Sequence, residues 1–353
     1  MSNVFRYGVM LLLCMTIIGF MMPVTASAAD IETVFDMKSL GEEKYCRKYN
    51  FDCFRGLKLA PNRDAIWVST DQAVLRFAGK KRDEFRNEQF RAHCDSYNTL
   101  AFDAKGTLWI ALNCYTPNAE ATMAIYDGTS WKLLTPKNFP APDYARRPRL
   151  MAFDQNNIMW SVTYAGLVRY DGKEWKLYTS ENSPLPHKDV HALSIDKKGA
   201  LWVGTDGGHI AKFDGTNWQV FKSGYKSTNG LNSNLSPKSI RFDMNNNMYF
   251  TYYTSSKVRK HVAGVFKPMY CSNANADGQH EDIVFDAQNV LWIANFDRNY
   301  QNEAGLLRYD GKACKIFKLP NNNSTMIDID AEGNKWIATY AGHIIVVREG
   351  GVK

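Results

Sequence analysis

Apolar and polar residues alternate along this chain in short runs, and the runs recur at a fixed distance. HALSID (191–196) alternates as a half-buried strand does, KKG turns the chain, and ALWVGT returns as a second strand. After DGG, HIAKF makes a third strand, DG turns again, and NWQVF makes a fourth. Four antiparallel strands of this length form one propeller blade.

Aligning on the aromatic residue that follows the first turn gives Trp67, Trp109, Trp160, Trp202, Tyr249, Trp292 and Trp336. The intervals are 42, 51, 42, 47, 43 and 44 residues, so the chain holds seven copies of one supersecondary unit. A YDG turn marks the end of the third strand at Tyr126, Tyr170 and Tyr309, with FDG at Phe213; Trp131, Trp175 and Trp218 follow four residues beyond the Asp. The last copy, ending GHIIVVREGGVK, has three strands, whereas IETVFDM (31–37) reads as a fourth strand without a blade. Pairing the two would remove both exposed edges. The pattern predicts an all-β fold, a seven-bladed β-propeller of four-stranded antiparallel blades closed by the N-terminal strand.

Composition adds the compartment. Residues 1–29 hold an apolar run, Val9–Val24, ahead of a small-residue ASA at Ala26–Ala28, the pattern of a cleaved secretory signal peptide. Residues 30–353 then form a single propeller domain, periplasmic or secreted, with no integral membrane segment and expected as a monomer. The formal charge of +7 falls to +6 with the loss of Arg6, and basic and acidic residues are interleaved, which argues against nucleic acid as a partner.

Six cysteines lie beyond the leader: Cys46, Cys53, Cys94, Cys114, Cys271 and Cys314. None has the spacing of a metal knuckle. A Cys46–Cys53 bridge is expected within one connection. If Asp103 pairs with Thr107, Cys114 opposes residue 96, close enough to Cys94 for a second bridge. Cys271 and Cys314 are expected to stay unpaired, Cys314 as a buried thiol in place of the recurring Trp.

The stretches LPHKDVHALSIDKKGALWVGTDGGHIAKFDGTNWQVF (185–221) and NNIMWSVTYAGLVRYDGKEWKLYT (156–179) resemble the two-component-regulator propeller repeat. That resemblance implies the propeller fold and a periplasmic sensor module of a signalling kinase, one that often reads saccharides and binds rather than catalyses. More distantly, other repeat propellers, such as those resembling streptogramin lyases and lactonases, are metal-dependent enzymes.

The Asp- and Asn-rich first turns do not read as calcium loops. Counting from Asp243, the sixth and twelfth positions are Met248 and Thr254 where an EF-hand needs Gly and Glu. They read as hairpin turns, as do the Asp-Gly pairs at Asp127, Asp171, Asp214 and Asp310. His209 and His343 occupy a third-strand position held by Leu167 and Leu306 in other copies, and so read as packing residues.

The residue four past each repeat aromatic ends the second strand at the face that also carries the longest connections, 135–149, 223–239 and 295–305. This ring is Asp71, Asn113, Tyr164, Asp206, Tyr253, Phe296 and Tyr340. Aromatic rings beside carboxylates and amides suit a polar ligand with apolar faces. The favoured reading is a non-enzymatic binding protein for a saccharide, peptide or protein, without cofactor or metal. The alternative is a metal-assisted lyase or hydrolase in which His209, His343 or His191 works with Asp206 or Asp71. A third is a scaffold subunit of a larger assembly.

Overall fold

The computed structural model describes residues 30–36, 54–62, 64–86, 96–113, 123–134, 148–222, 236–252, 255–262, 264–269, 279–297, 305–320 and 323–348. Seven four-stranded antiparallel sheets form the blades of a propeller. The first strands of consecutive blades touch one another all the way round, from Phe54–Leu59 in blade 1 to Ser324–Ile329 in blade 7 and back. Blade 7 takes its fourth strand from the other end of the chain: Asp30–Asp36 pairs with His343–Arg348, Asp30 opposite Arg348 and Asp36 opposite His343. The expected ring closure is therefore the observed one. No helix among the described residues is long and apolar enough to cross a membrane.

Each repeat aromatic sits on a second strand and packs toward the next blade. Trp67 lies in a cluster with Leu108 and Ile110 of blade 2, and Trp292 in one with Ile337 and Ile345 of blade 7. An indole buried there must still satisfy its N–H. Asp103, Asp154, Asp196, Asp286 and Asp330 do so: the Oδ2 of each accepts from the Trp six residues on, at 2.8–3.3 Å. In blade 5 the hydroxyl of Tyr249 reaches Asp243 at 3.4 Å. The other oxygen of Asp103, Asp154, Asp196, Asp243 and Asp286 accepts backbone N–H groups two and four residues on, closing the hairpin turn.

The third residue after that Asp has a left-handed backbone, supplied by glycine at Gly106, Gly199 and Gly333 and by asparagine at Asn157, Asn246 and Asn289. Each asparagine does more than tolerate the conformation. Its Oδ1 accepts a backbone N–H from the turn of the preceding blade, Ala104, Lys197 and Met244 respectively, at 2.7–2.8 Å. Three of the seven blade junctions are stitched in this way.

At the outer hairpin Asp127 N–H donates to Ser130, so Gly128 and Thr129 form the two-residue tip and Asp127 precedes it rather than starting it. The carboxylates of Asp127, Asp171, Asp214 and Asp310 accept N–H groups three and two residues on. These bonds hold all four carboxyls below the usual range, Asp171 at about 2. The YDG tyrosines Tyr126, Tyr170 and Tyr309 donate to the glycine carbonyl, and the first two stack on the following Trp, Tyr170 on Trp175 with centroids 4.1 Å apart.

Cys314 opposes Tyr309 and is 7% exposed, as a buried residue at that position should be. It is nevertheless disulfide-bonded, against the expectation of a free thiol. It begins an outermost strand, whose far edge has no neighbour within the sheet, so strand pairing does not dictate what its sulfur meets. Its partner is one of the other cysteines, and these, Cys46, Cys53, Cys94, Cys114 and Cys271 among them, lie outside the described residues. In blade 2 the expected register holds through Leu100↔Ile110, then a bulge shifts it to Tyr97↔Leu112.

Two outcomes test this architecture. A chain lacking residues 30–36 should melt at lower temperature and aggregate, because it exposes the His343–Arg348 edge. Asp286→Ala strands the Trp292 N–H and two backbone donors, so denaturant unfolding should show a loss of about 3 kcal/mol.

Candidate functional site

The first strands line the channel, and most of them are irregular where they enter it. Register breaks between Phe54 and Gly56, Tyr97 and Leu100, Val190 and Ala192, Pro237 and Ile240, His280 and Asp282, and Ser324 and Met326. A bulge leaves one side chain out of the pleat and re-aims it. The bulge residues include Arg55, His191, Lys238, Glu281 and Thr325, so charged groups gather at the mouth. Lys238 of blade 5 pairs with Glu281 of blade 6. Alternation alone did not reveal these residues. The available signal was a charged or polar residue interrupting an apolar run, as in FRGL, VHAL and HEDI.

These bulges meet the ends of the second strands. Arg55 Nε donates to Asp71 Oδ1 at 2.8 Å; Asp71 is buried, and Arg55 is the partner that reaches the surface. Tyr164 is 49% exposed, with the Arg149 guanidinium 4.8 Å over its ring. Arg149 also donates from Nη2 to the Val190 carbonyl, tying blade 3 to blade 4. Phe296 and Tyr340 meet edge to face with centroids 5.2 Å apart, across blades 6 and 7. They are the two ring members seen in contact with each other. The side chains of Asn113 and Tyr253 lie outside the described residues.

Asp206 is the centre of the most polar corner. Its Oδ1 lies 2.7 Å from His191 Nε2 and accepts from Ser236 Oγ at 2.5 Å. With both contacts on one oxygen, Oδ2 has no partner among the described residues. The carbonyl of Asp206 faces His209 Nδ1 at 3.3 Å, and its N–H donates to the Asp189 carbonyl. The DGG turn makes this possible. Gly207 is left-handed at φ 75°, and a Cβ there would stand 3.1 Å from the His209 ring.

His187 and Asp189 complete the corner. His187 Nδ1 accepts the Asp189 N–H at 3.1 Å and lies 3.6 Å from its carboxylate. One ligand atom each of His187, Asp189 and Asp206 falls within 4.8 Å of the others. A single transition-metal ion bound at about 2.1 Å holds its ligands no more than about 4.2 Å apart, so these three would have to draw inward to share one. His343 is occupied elsewhere: its Nε2 lies 3.3 Å from Asp36 of the closing strand and its N–H donates to Thr339.

His280, at the start of the blade 6 first strand, is 3% exposed and pairs across the ladder with Asn295. Among the described residues neither ring nitrogen has a partner, nor does either side-chain polar atom of Asn295. Burial pushes the imidazole pKa down to about 4.

The two component regulator propeller pattern matches residues 184–207, the stretch that carries His187, Asp189, His191 and Asp206. The chain carries this propeller repeat. In structure the whole ring resembles the extracellular domain of the hybrid two component system BT3049 from B. thetaiotaomicron, at TM-score 0.65 and 13% identity over 90% of this chain. This chain covers 40% of that longer one. It also resembles virginiamycin B lyase from Staphylococcus aureus, at TM-score 0.67 and 14% identity over 91% of this chain and 99% of the lyase. A third relative is YCF48 from Cyanidioschyzon merolae, at TM-score 0.60 and 15% identity over 86% and 98% of the two chains; YCF48 has also been solved bound to D1 peptide. At these identities the likeness is one of fold. No curated protein sequence matches this one.

The His280 burial sets a pH dependence. The unfolded chain takes up a proton there near the ordinary 6.5, the folded chain only near 4, so stability is full above 6.5 and is lost as pH falls through that window. The loss attributable to this group is at most about 3 kcal/mol. Denaturant midpoints between pH 7 and pH 4 should fall less steeply in His280→Leu than in the unaltered protein.

Proposed function

We propose that this chain is an exported binding module that takes a saccharide or peptide at the mouth of its channel. The observation that supports it most is the combination at one rim of a half-exposed Tyr164 under a cation, an aromatic pair at Phe296 and Tyr340, and an Asp206 carboxylate with one open oxygen. Rings give stacking area at low entropic cost, and the fixed carboxylate and guanidinium give direction to hydroxyl or amide partners. The leader-like residues 1–29 and the extracellular setting of the BT3049 domain support export. N-terminal sequencing of protein recovered from the envelope or medium should begin at Ala29 or Asp30.

A second reading rests on His187, Asp189 and Asp206, a mixed imidazole and carboxylate set beside His191. A divalent ion drawn between them would serve a metal-assisted lyase or hydrolase, and one structural relative is a lyase by name. Metal analysis after dialysis against zinc and manganese separates the two readings: stoichiometric metal that is lost in Asp206→Asn favours the enzyme, and none favours the binding module.

Screening on saccharide and peptide arrays, followed by calorimetry with the best binder, tests the first reading. Tyr164→Ala and Tyr340→Ala should each weaken binding by about 1–3 kcal/mol and leave the melting temperature almost unchanged. Lys197→Ala with Lys198→Ala, on the tight-turn face, should change neither. Unaltered binding in both tyrosine variants would sink the assignment of the mouth.

A further inference from the structure

Blade 1 breaks the rule that the other six blades obey. Its first hairpin closes by Ala60 N–H to the Ala65 carbonyl, the bond that Asp103, Asp154, Asp196, Asp243, Asp286 and Asp330 make in their own turns. Ala60 thus stands where every other blade has a carboxylate, and the hairpin is one residue longer: Leu59 pairs with Ile66 here, whereas Ile195 pairs with Leu201 in blade 4. Trp67 is retained, but its indole N–H finds no acceptor among the described residues.

The stitch is missing as well. The left-handed position of the blade 2 turn is Gly106 rather than asparagine, so no side chain reaches back to blade 1. A cleft of about 510 Å³ opens at this junction, lined by Ala60, Asp64, Trp67, Arg76, Lys105 and Tyr126 among others. That volume lies within the range of small-ligand sites. Arg76 sits 5.8 Å over the Trp67 ring and is held by Asp83 at 3.1 Å, with Asp64 at 4.0 Å. Lys105 adds a second cation at the rim.

We propose that this cleft, on the face opposite the channel mouth, binds a ligand carboxylate in the place of the absent aspartate. The ligand oxygen accepts the Trp67 indole N–H, as the Oδ2 atoms do in the other blades, and the Arg76 and Lys105 charges face it. Its class follows by subtraction. Six turns define what completes an indole of this kind, and blade 1 keeps the indole while Ala60 replaces the acid. Places where a repeat departs from its own local rule are where function is expected.

The test reads the indole resonance directly. In the full-length protein labelled with ¹⁵N-tryptophan, with Trp67 assigned by Trp67→Phe, acetate should shift the Trp67 Hε1 signal downfield and saturably. Acetamide and ionic-strength-matched chloride should not. Ala60→Asp should show the shifted signal before any acid is added and lose the response to acetate; if that variant does not fold, the acetate and acetamide comparison in the unaltered protein decides alone. Acetylated, amidated tripeptides with a central Asp or Asn separate an acidic side chain from a free acid as the source: saturation by the Asp peptide below the acetate concentration assigns a peptide, and the reverse assigns a small acid. A Trp67 signal that tracks the chloride control, or moves equally with acetamide, overturns the proposal. So does a Trp67 signal that moves in Asp64→Ala without added acid, because Asp64 would then already supply the carboxylate.

Discussion

A buried tryptophan with one polar atom is the constraint around which this propeller is built. The indole supplies the bulk that fills the gap between adjacent blades, and its N–H cannot be left without an acceptor there. An aspartate six residues earlier meets that need with one oxygen and, in most blades, closes the first hairpin with the other. Turn geometry and blade packing are thereby set by the same side chain. The recurring aspartate and aromatic in the sequence are the trace of this coupling, and Tyr249 keeps it by bringing a hydroxyl to the same carboxylate.

The two faces of the ring use their carboxylates differently. On the turn face most are consumed by N–H groups of their own hairpins, leaving little to offer a ligand. At the mouth the geometry is looser, since bulged first strands bring in Arg55, His191, Lys238 and Glu281 from outside the regular ladder. Asp71 is spent on Arg55, while Asp206 is fixed through one oxygen and open at the other.

The fold was legible because its determinants are local. Alternation, an Asp-capped turn and an aromatic at fixed offset lie within some twenty residues of each other in six of the seven copies, and IETVFDM resembled the outer strands closely enough to reveal the closure. The site was legible in part. Counting four residues past the aromatic found Tyr164, Asp206, Phe296 and Tyr340 at the mouth, but gave no sign that Asp71 is buried, since that depends on Arg55 leaving the pleat. Bulges arise from how two strands register, and a single strand's pattern does not contain them. The bond at Cys314 escaped for a related reason: it begins an outer strand, and a strand's own pattern does not say what its sulfur meets. The extra residue in the blade 1 hairpin was hidden by aligning on Trp67, which placed Pro61 rather than Ala60 opposite the aspartates.

The asparagines at positions 157, 246 and 289 also give the ring an uneven mechanical compliance. Their bonds join blades 2 and 3, and run on through blades 4, 5 and 6 as one block. Gln155 reaches from blade 3 to the Lys197 carbonyl, extending that block backward. Among the described residues the junctions of blade 1 with blade 2 and of blade 6 with blade 7 have no such bond, whereas blade 1 is tied to blade 7 by the Leu59 N–H, which donates to Asp328 Oδ2 at 2.9 Å. Elastic deformation of the turn face should therefore concentrate at the junctions of blade 1 with blade 2 and of blade 6 with blade 7, so that blades 7 and 1 hinge as a pair against a stiff arc from blade 2 to blade 6.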